Sequence, residues 1–280
     1  MCTTCGCDTD REIKLLIPGE IHHDHPHLNH DHHHVHDHNH LNGHEHPHHL
    51  HESKKITLEQ DIMGKNNLMA ERNRGYFEAK NILAINIVSS PGSGKTTVLE
   101  KSLPQLMENY KVYIIEGDQQ TTNDAERIQK TGASVVQINT GQGCHLDADM
   151  VHKAVNKLNP CENSILFIEN VGNLVCPGLF DLGESYRTVI ISVTEGEDKP
   201  LKYPVMFQSS QLCLINKTDL LPYVSFDMNK AREYALRVNK QLELQEICAT
   251  EKGGLESWIT WIDQIMNEKL KKNENLASTH

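Results

Sequence analysis

No stretch of the sequence reaches the roughly 18 apolar residues that a membrane-spanning helix needs, so no membrane partner is expected. There is no basic excess either: 38 Asp and Glu outweigh 27 Lys and Arg, for a formal net charge of −11. The closest approach to a basic run is Lys269, Lys271 and Lys272. A nucleic-acid binder normally presents a basic patch, and nucleic acid is set aside as a partner. The opening Met1-Cys2-Thr3-Thr4-Cys5 lacks the charged and apolar regions of a secretory signal, so the expected location is cytoplasmic. In that reducing compartment the eight cysteines read as thiols or metal ligands before they read as disulfides. No repeat with a period of 20–50 residues is visible, which removes solenoids.

What is abundant is histidine, and it is unevenly placed. Of 19 histidines, 16 lie between His22 and His51, interleaved with Asp, Asn and Pro. Residues 21–52 have almost nothing to bury, so they are expected to be a disordered, low-specificity metal store. Residues 1–20 form a short Cys-rich segment, and residues 53–80 a helical lead-in with scattered apolar positions. Residues 81–272 carry the folded domain. There, short apolar runs at Ile82–Val88, Lys111–Ile115, Ser134–Ile138, Ser164–Ile168, Thr188–Val193 and Gln211–Ile215 alternate with helical patterns. A weaker run lies near Leu242–Ile247. The fold class implied is α/β, with a mostly parallel sheet covered by helices on both faces.

The first strand runs into Ser89-Ser90-Pro91-Gly92-Ser93-Gly94-Lys95-Thr96-Thr97, followed by a helical segment. That is the strand–loop–helix setting of a phosphate-binding loop. Gly92, Ser93 and Gly94 let backbone N–H groups converge on phosphate oxygens at a helix N-terminus. Lys95 would reach the β- and γ-phosphates, and Thr96 would ligate Mg²⁺, with Thr97 beside it. Ser89 stands where the first glycine is usual, which costs little if its φ is negative. Pro104 is expected to kink the helix after about two turns.

The strand at Gln211–Ile215 ends in Asn216-Lys217-Thr218-Asp219, about 120 residues beyond the phosphate loop. Strand C-terminal ends are where open α/β sheets bind ligands. A carboxylate at Asp219 accepts from guanine N1–H and its 2-amino group, donors that adenine lacks there. Asn216 and the Lys217 stem would support the base, so the nucleotide expected is GTP. Asp118 and Glu169 close two further strands, Asp118 assigned to Mg²⁺ or its water shell and Glu169 to the Walker B position, where a glutamate acts through a water or positions the nucleophile instead of ligating directly.

Three sets of metal-ligand residues stand out. Cys2, Cys5 and Cys7 put three thiols within six residues, a donor set for Ni²⁺, Zn²⁺ or Cu⁺. The histidine tract is the second. The third is Cys144-His145 with Cys176. On the residues alone, Cys144-His145 reads equally well as a ligand pair or as a buried thiol beside a surface histidine. Cys161, Cys213 and Cys248 receive no role.

Taken together, Ser90–Thr97, Glu116-Gly117-Asp118-Gln119-Gln120-Thr121, Asn139–Leu146, Phe167–Pro177, Thr194–Lys202 and Asn216–Asp219 resemble the nickel-insertion GTPases of the HypB family. The resemblance covers essentially all of residues 81–270, and the Cys2/Cys5/Cys7 cluster agrees with it. It implies a high-affinity nickel site at those cysteines and a weaker Ni²⁺/Zn²⁺ site at Cys144, His145 and Cys176. That second site would form where two G domains meet in a GTP-dependent homodimer. The function implied is delivery of Ni²⁺ to a [NiFe]-hydrogenase large-subunit precursor, alongside a HypA-type accessory protein. Rival readings are a urease-type nickel GTPase, a nickel storage or detoxification protein, and a nucleotide-dependent kinase. Turnover is expected to be slow, since no arginine finger is recognisable and Arg127 and Arg187 have no evident place.

Overall fold

The computed structural model describes residues 14–17, 49–119, 123–141 and 143–277. Cys2, Cys5, Cys7, the expected disorder of residues 21–52 as far as residue 48, and the motif residues Gln120, Thr121 and Gln142 lie outside them.

The described chain runs β1 (Lys14–Leu16), α1 (His49–Ala79), β2 (Leu83–Ser89), α2 (Lys95–Asn109), β3 (Val112–Asp118), α3 (Asn123–Gln129), β4 (Ser134–Asn139) and α4 (Ala148–Leu158). It continues with β5 (Ile165–Glu169), β6 (Tyr186–Ser192), α5 (Lys199–Lys202), α6 (Pro204–Gln208), β7 (Leu212–Asn216), α7 (Met228–Val238), β8 (Glu243–Glu246) and α8 (Glu256–Ala277). The eight strands lie in the order β1-β4-β3-β5-β2-β6-β7-β8. All adjacent pairs are parallel except β1 with β4. Strands that are apolar along their length sit in the middle because both faces are covered. Every residue of β2, β5 and β7 is buried.

Alternate side chains enter different layers. Ile85 and Ile87 pack with Leu99 and Leu103 of α2 and with Trp258 and Ile262 of α8. Ala84 faces Phe77 of α1 and Val151 of α4. A third layer sets Ile191 and Ile215 against Phe207 and Ala235. The expected α/β fold is therefore the observed one. Among the described residues no helix is long and apolar enough to cross a membrane.

Local signals set most boundaries. Asp147 caps α4 by accepting from Met150 N at 2.8 Å, and Asp227 caps α7 by accepting from two backbone N–H groups. Pro104 does not end α2, which runs on to Asn109. The proline lacks only one ladder donor there, while Leu99, Leu103 and Leu106 on either side of it bury the helix.

Trp258 is the largest fully buried side chain, stacked on Trp261 with ring centroids 5.6 Å apart and set against Phe167 of β5. Trp258→Ala should cost about 3–5 kcal/mol, the usual loss for a buried aromatic that leaves a cavity. Denaturant unfolding checks this; a shift below about 1 kcal/mol would mean that α8 is peripheral to the fold.

Candidate functional site

Strand β2 delivers the phosphate loop between two strands, β5 and β6, and one step from β7. Gly92 and Gly94 have φ of +77° and +101°, a region glycine enters freely and side-chain-bearing residues rarely do. At Gly94 the need is also steric, because a Cβ would lie 2.6 Å from Asn216 Nδ2. That contact locks two motifs together. Asn216 Nδ2 donates to Ser93 O at 2.8 Å, Lys217 Nζ donates to Gly92 O at 2.7 Å, and Asn216 Oδ1 accepts from Ala249 N at 3.3 Å. Lys217 itself has φ of +64°.

Ser89 is buried at the end of β2, with no positive φ. Its hydroxyl donates to Ser90 O and accepts from Lys95 Nζ at 3.0 Å, so the departure from glycine supplies the lysine with a partner. Ser90 Oγ donates to Glu195, which also pairs with Lys199 at 3.5 Å. The Thr194–Lys202 segment is thereby drawn to the phosphate loop.

Thr96 Oγ1 donates to Glu169 Oε1 at 2.6 Å. Glu169 in turn faces Glu116 across the β3–β5 ladder. Burial pushes the Glu169 carboxyl upward, against the pull of Lys95 and the Thr96 hydroxyl. Burial, then the neighbouring Glu169 charge, pushes Glu116 up to about 9. Glu169 Oε2 and Glu116 Oε2 are buried without a hydrogen-bond partner. Orphaned carboxylate oxygens next to a phosphate-loop threonine are a donor set that fits a hydrated Mg²⁺. Asp118 closes β3 two residues on, its Oδ1 accepting from Gln119 N at 2.7 Å.

Beyond the end of β7, the Asp219 carboxylate accepts from Cys248 Sγ at 3.1 Å, and Cys248 also meets Thr250 Oγ1 at 3.3 Å. Sequence reasoning left Cys248 without a role. Its signal was positional, since it follows β8 at the same sheet edge as Asn216–Asp219.

Cys144, His145 and Cys176 come together, each half-buried, with one donor atom apiece inside 4.8 Å of the others. The two sulfurs are 2.9 Å apart, and Cys144 Sγ lies 3.7 Å from His145 Nδ1. The imidazole stacks on Phe180 at 4.0 Å. Burial lowers its pKa against the opposing pull of Asp147, keeping it the neutral ligand form near pH 7. No similar trio of ligand side chains occurs elsewhere among the described residues.

Asn170 joins this cluster to the nucleotide edge. It follows Glu169 directly, and its Oδ1 accepts from Leu146 N at 3.1 Å. The Leu146 side chain packs against Gly117, where a Cβ would meet it at 2.9 Å. Arg187 lies elsewhere: it is buried, paired with Glu184 at 2.6 Å, and donates to the carbonyls of Gly178 and Phe180. Arg127 lies beside the phosphate loop, donating to Thr97 Oγ1 at 3.2 Å while paired with Glu100 and Asp124.

Residues 83–246 match the CobW/HypB/UreG nucleotide-binding domain. The Escherichia coli K12 hydrogenase maturation factor HypB is 44% identical over 288 residues, 94% of this chain and 98% of that one. The Azotobacter vinelandii hydrogenase maturation factor HypB is 51% identical over 222 residues, covering 79% of this chain and 73% of that protein. Among solved structures, HypB from Helicobacter pylori in complex with nickel superposes with a TM-score of 0.69 at 35% identity, over 73% of this chain and 96% of that one.

Proposed function

Because the chain belongs to the CobW/HypB/UreG family, among its HypB hydrogenase maturation factors, we propose that it is a GTP-hydrolysing nickel metallochaperone. It captures Ni²⁺ and delivers it to a [NiFe]-hydrogenase large-subunit precursor in the cytoplasm, working with a HypA-type nickel/zinc protein. Asn216, Lys217 and Asp219 select guanine. Gly92–Thr97 hold the phosphates, and Thr96 and Asp118 hold Mg²⁺, which supplies charge neutralisation at the phosphates when bound. Glu169 positions the attacking water. Cys2, Cys5 and Cys7 form the capture site in the proposed 1–20 segment, the tract at 21–52 is a reserve, residues 53–80 lead into the G domain, and 81–272 is that domain. Cys144, His145 and Cys176 form the Ni²⁺/Zn²⁺ site of that domain. Exposed Val175 and Leu179 flank Cys176, as an apolar rim for a GTP-dependent homodimer needs.

One observation carries the reading. The acid bonded to the phosphate-loop threonine is followed at once by Asn170, whose amide oxygen holds the backbone beside His145. A γ-phosphate that draws on Glu169 and Asp118 shifts Asn170 and Gly117, hence Leu146 and the two ligands before it. Nucleotide state and nickel affinity are then reciprocally coupled.

Nickel titration tests this in a chain carrying Cys2→Ala, Cys5→Ala and Cys7→Ala, with and without Cys144→Ala. The Cys144→Ala change should remove one equivalent of bound nickel. Affinity at that site should differ about 5–150-fold between GDP and a non-hydrolysable GTP analogue, and Asn170→Ala should narrow the gap. Equal affinities in both nucleotide states would sink the coupling.

A further inference from the structure

Arg187 and Glu184 form an ion pair whose side chains are each only 6% exposed. Taking both charges out of water is costly, and an apolar pair of similar volume often serves stability as well or better. Such a pair is best read for what it holds in place. Arg187 lies in β6 directly opposite Asn86 of β2 in the parallel ladder.

All five guanidinium N–H groups are engaged. Nε and Nη2 donate to Glu184 Oε1 at 2.9 and 2.6 Å, and Nη1 donates to Ser209 Oγ at 2.8 Å. The remaining two reach backbone, Nη1 to Gly178 O at 3.2 Å and Nη2 to Phe180 O at 2.8 Å. Gly178 and Phe180 follow Cys176 by two and four residues, across the short 3₁₀ turn Cys176–Leu179. The backbone that carries this thiol is thus tied at two points to one planar group. Phe180 also stacks on His145, the rings 4.0 Å apart and inclined by 22°. A single side chain therefore sets the turn that bears one ligand and the ring that braces another.

Glu184 fixes the guanidinium in its turn. Its Oε1 also accepts from Asn86 Nδ2 at 3.0 Å, and its Oε2 accepts from Leu182 N at 2.8 Å. Burial works against the ionised carboxyl, but Arg187 and these donors outweigh it and hold its pKa below the ordinary value. Asn86 Oδ1 accepts from Asn170 Nδ2 at 3.3 Å. Asn170, the residue after Glu169, is thereby forked. Its Oδ1 holds Leu146 N next to His145, while its Nδ2 leads through Asn86 and Glu184 to Arg187 and the Cys176 turn.

We propose that Arg187 is a positioning residue of the metal centre, holding Cys176 and, through Phe180, His145 at coordinating separation from Cys144, with Asn86 tying that hold to the nucleotide edge. The inference rests on the reading above that Cys144, His145 and Cys176 bind Ni²⁺. Lysine at this position would keep the charge beside Glu184. As a point charge without a planar fork, it could not also span Gly178 O and Phe180 O. Arg187→Lys therefore separates charge from geometry.

The experiment titrates nickel into the full-length chain carrying Cys2→Ala, Cys5→Ala and Cys7→Ala, with GDP or a non-hydrolysable GTP analogue. Thiolate-to-nickel charge-transfer absorption is the readout, to which imidazoles of the histidine tract contribute nothing. Arg187→Lys, Asn86→Leu and Ile265→Ala are made in that background, and denaturant unfolding ranks their stabilities. Ile265 is a control in the layer of α2 and α8, away from the cluster. Arg187→Lys should weaken nickel binding about 10–100-fold, the usual loss when a residue that orients a ligand is changed, and should shift the band. Glu184→Gln, which keeps volume and one acceptor, is the milder variant and should shift the band the same way. Ile265→Ala should keep the parent's affinity and band, however much stability it loses. Asn86→Leu should keep the GDP-state affinity and narrow the gap between nucleotide states about 2–30-fold. Parent-like affinity and band in both Arg187→Lys and Glu184→Gln would overturn the proposal, leaving the ion pair a purely structural one. Equal loss in Ile265→Ala would also overturn it, because affinity would then merely follow stability. A nucleotide gap unchanged by Asn86→Leu would sever the link to the nucleotide edge. If the parent chain shows no band that Cys144→Ala removes, it is instead the site reading that fails.

Discussion

Asp219→Asn is expected to turn the protein from guanine to xanthine nucleotides. The wild-type carboxylate offers only acceptors, matching the N1–H and 2-amino donors of guanine. Its Oδ1 already accepts from Cys248 Sγ at 3.1 Å, which fixes the carboxylate plane. In the asparagine variant that oxygen keeps the Cys248 contact, and the amide nitrogen takes the place of Oδ2. A donor then faces the guanine 2-amino group, whereas xanthine presents a carbonyl at that carbon. Charge-assisted hydrogen bonds are worth about 1.5–3 kcal/mol each, so losing two should weaken GTP and GDP binding by roughly 10²–10⁴-fold. Xanthine nucleotides should gain by a comparable factor. Competition titration of GDP against XDP reads both, and Lys217 Nζ on Gly92 O should keep the loop itself intact. Unchanged preference for GDP in the variant would remove Asp219 from base recognition.

Much of this was legible in the sequence, for a physical reason. Parallel strands buried on both faces are continuous apolar runs, and all seven expected between Ile82 and Ile247 are present within a few residues of their expected limits. The phosphate loop and Asn216–Asp219 were legible because each has residue types whose spacing only one chemistry needs. The bond between them, Asn216 Nδ2 to Ser93 O, was not, since it spans 123 residues. β1 escaped notice because three residues beside a Cys- and His-rich stretch show no alternation to read. Glu116 lay inside a recognised motif, yet its partnership with Glu169 depends on β3 neighbouring β5, a matter of strand order. Cys248 looked like filler because a thiol is equally at home in a core. In each case the missing information was a long-range neighbour.

Lys95→Ala should separate a delivery machine from a store. The ammonium stands at the start of α2, held 3.0 Å from Ser89 Oγ and within electrostatic reach of the Glu169 and Glu116 carboxyls. On the proposed reading this is the charge that would meet the β- and γ-phosphates of GTP, and no other lysine starts the helix there. Removing one such preorganised contact costs catalysis about 10²–10³-fold. GTP hydrolysis by Lys95→Ala should fall by at least that factor, measured as phosphate release under saturating nucleotide. The Cys2/Cys5/Cys7 set and the histidine tract are separate in sequence from this loop, so total nickel bound per chain should be unchanged. A storage protein would then protect cells from nickel as well as the wild type does. A chaperone whose hand-over is driven by the nucleotide would leave the hydrogenase large subunit without nickel, and hydrogenase activity would be lost at ordinary nickel supply. Normal hydrogenase activity in cells carrying a hydrolysis-dead Lys95→Ala chain would favour storage, because the coupling through Asn170 would then connect the nickel site to a cycle that delivery does not use.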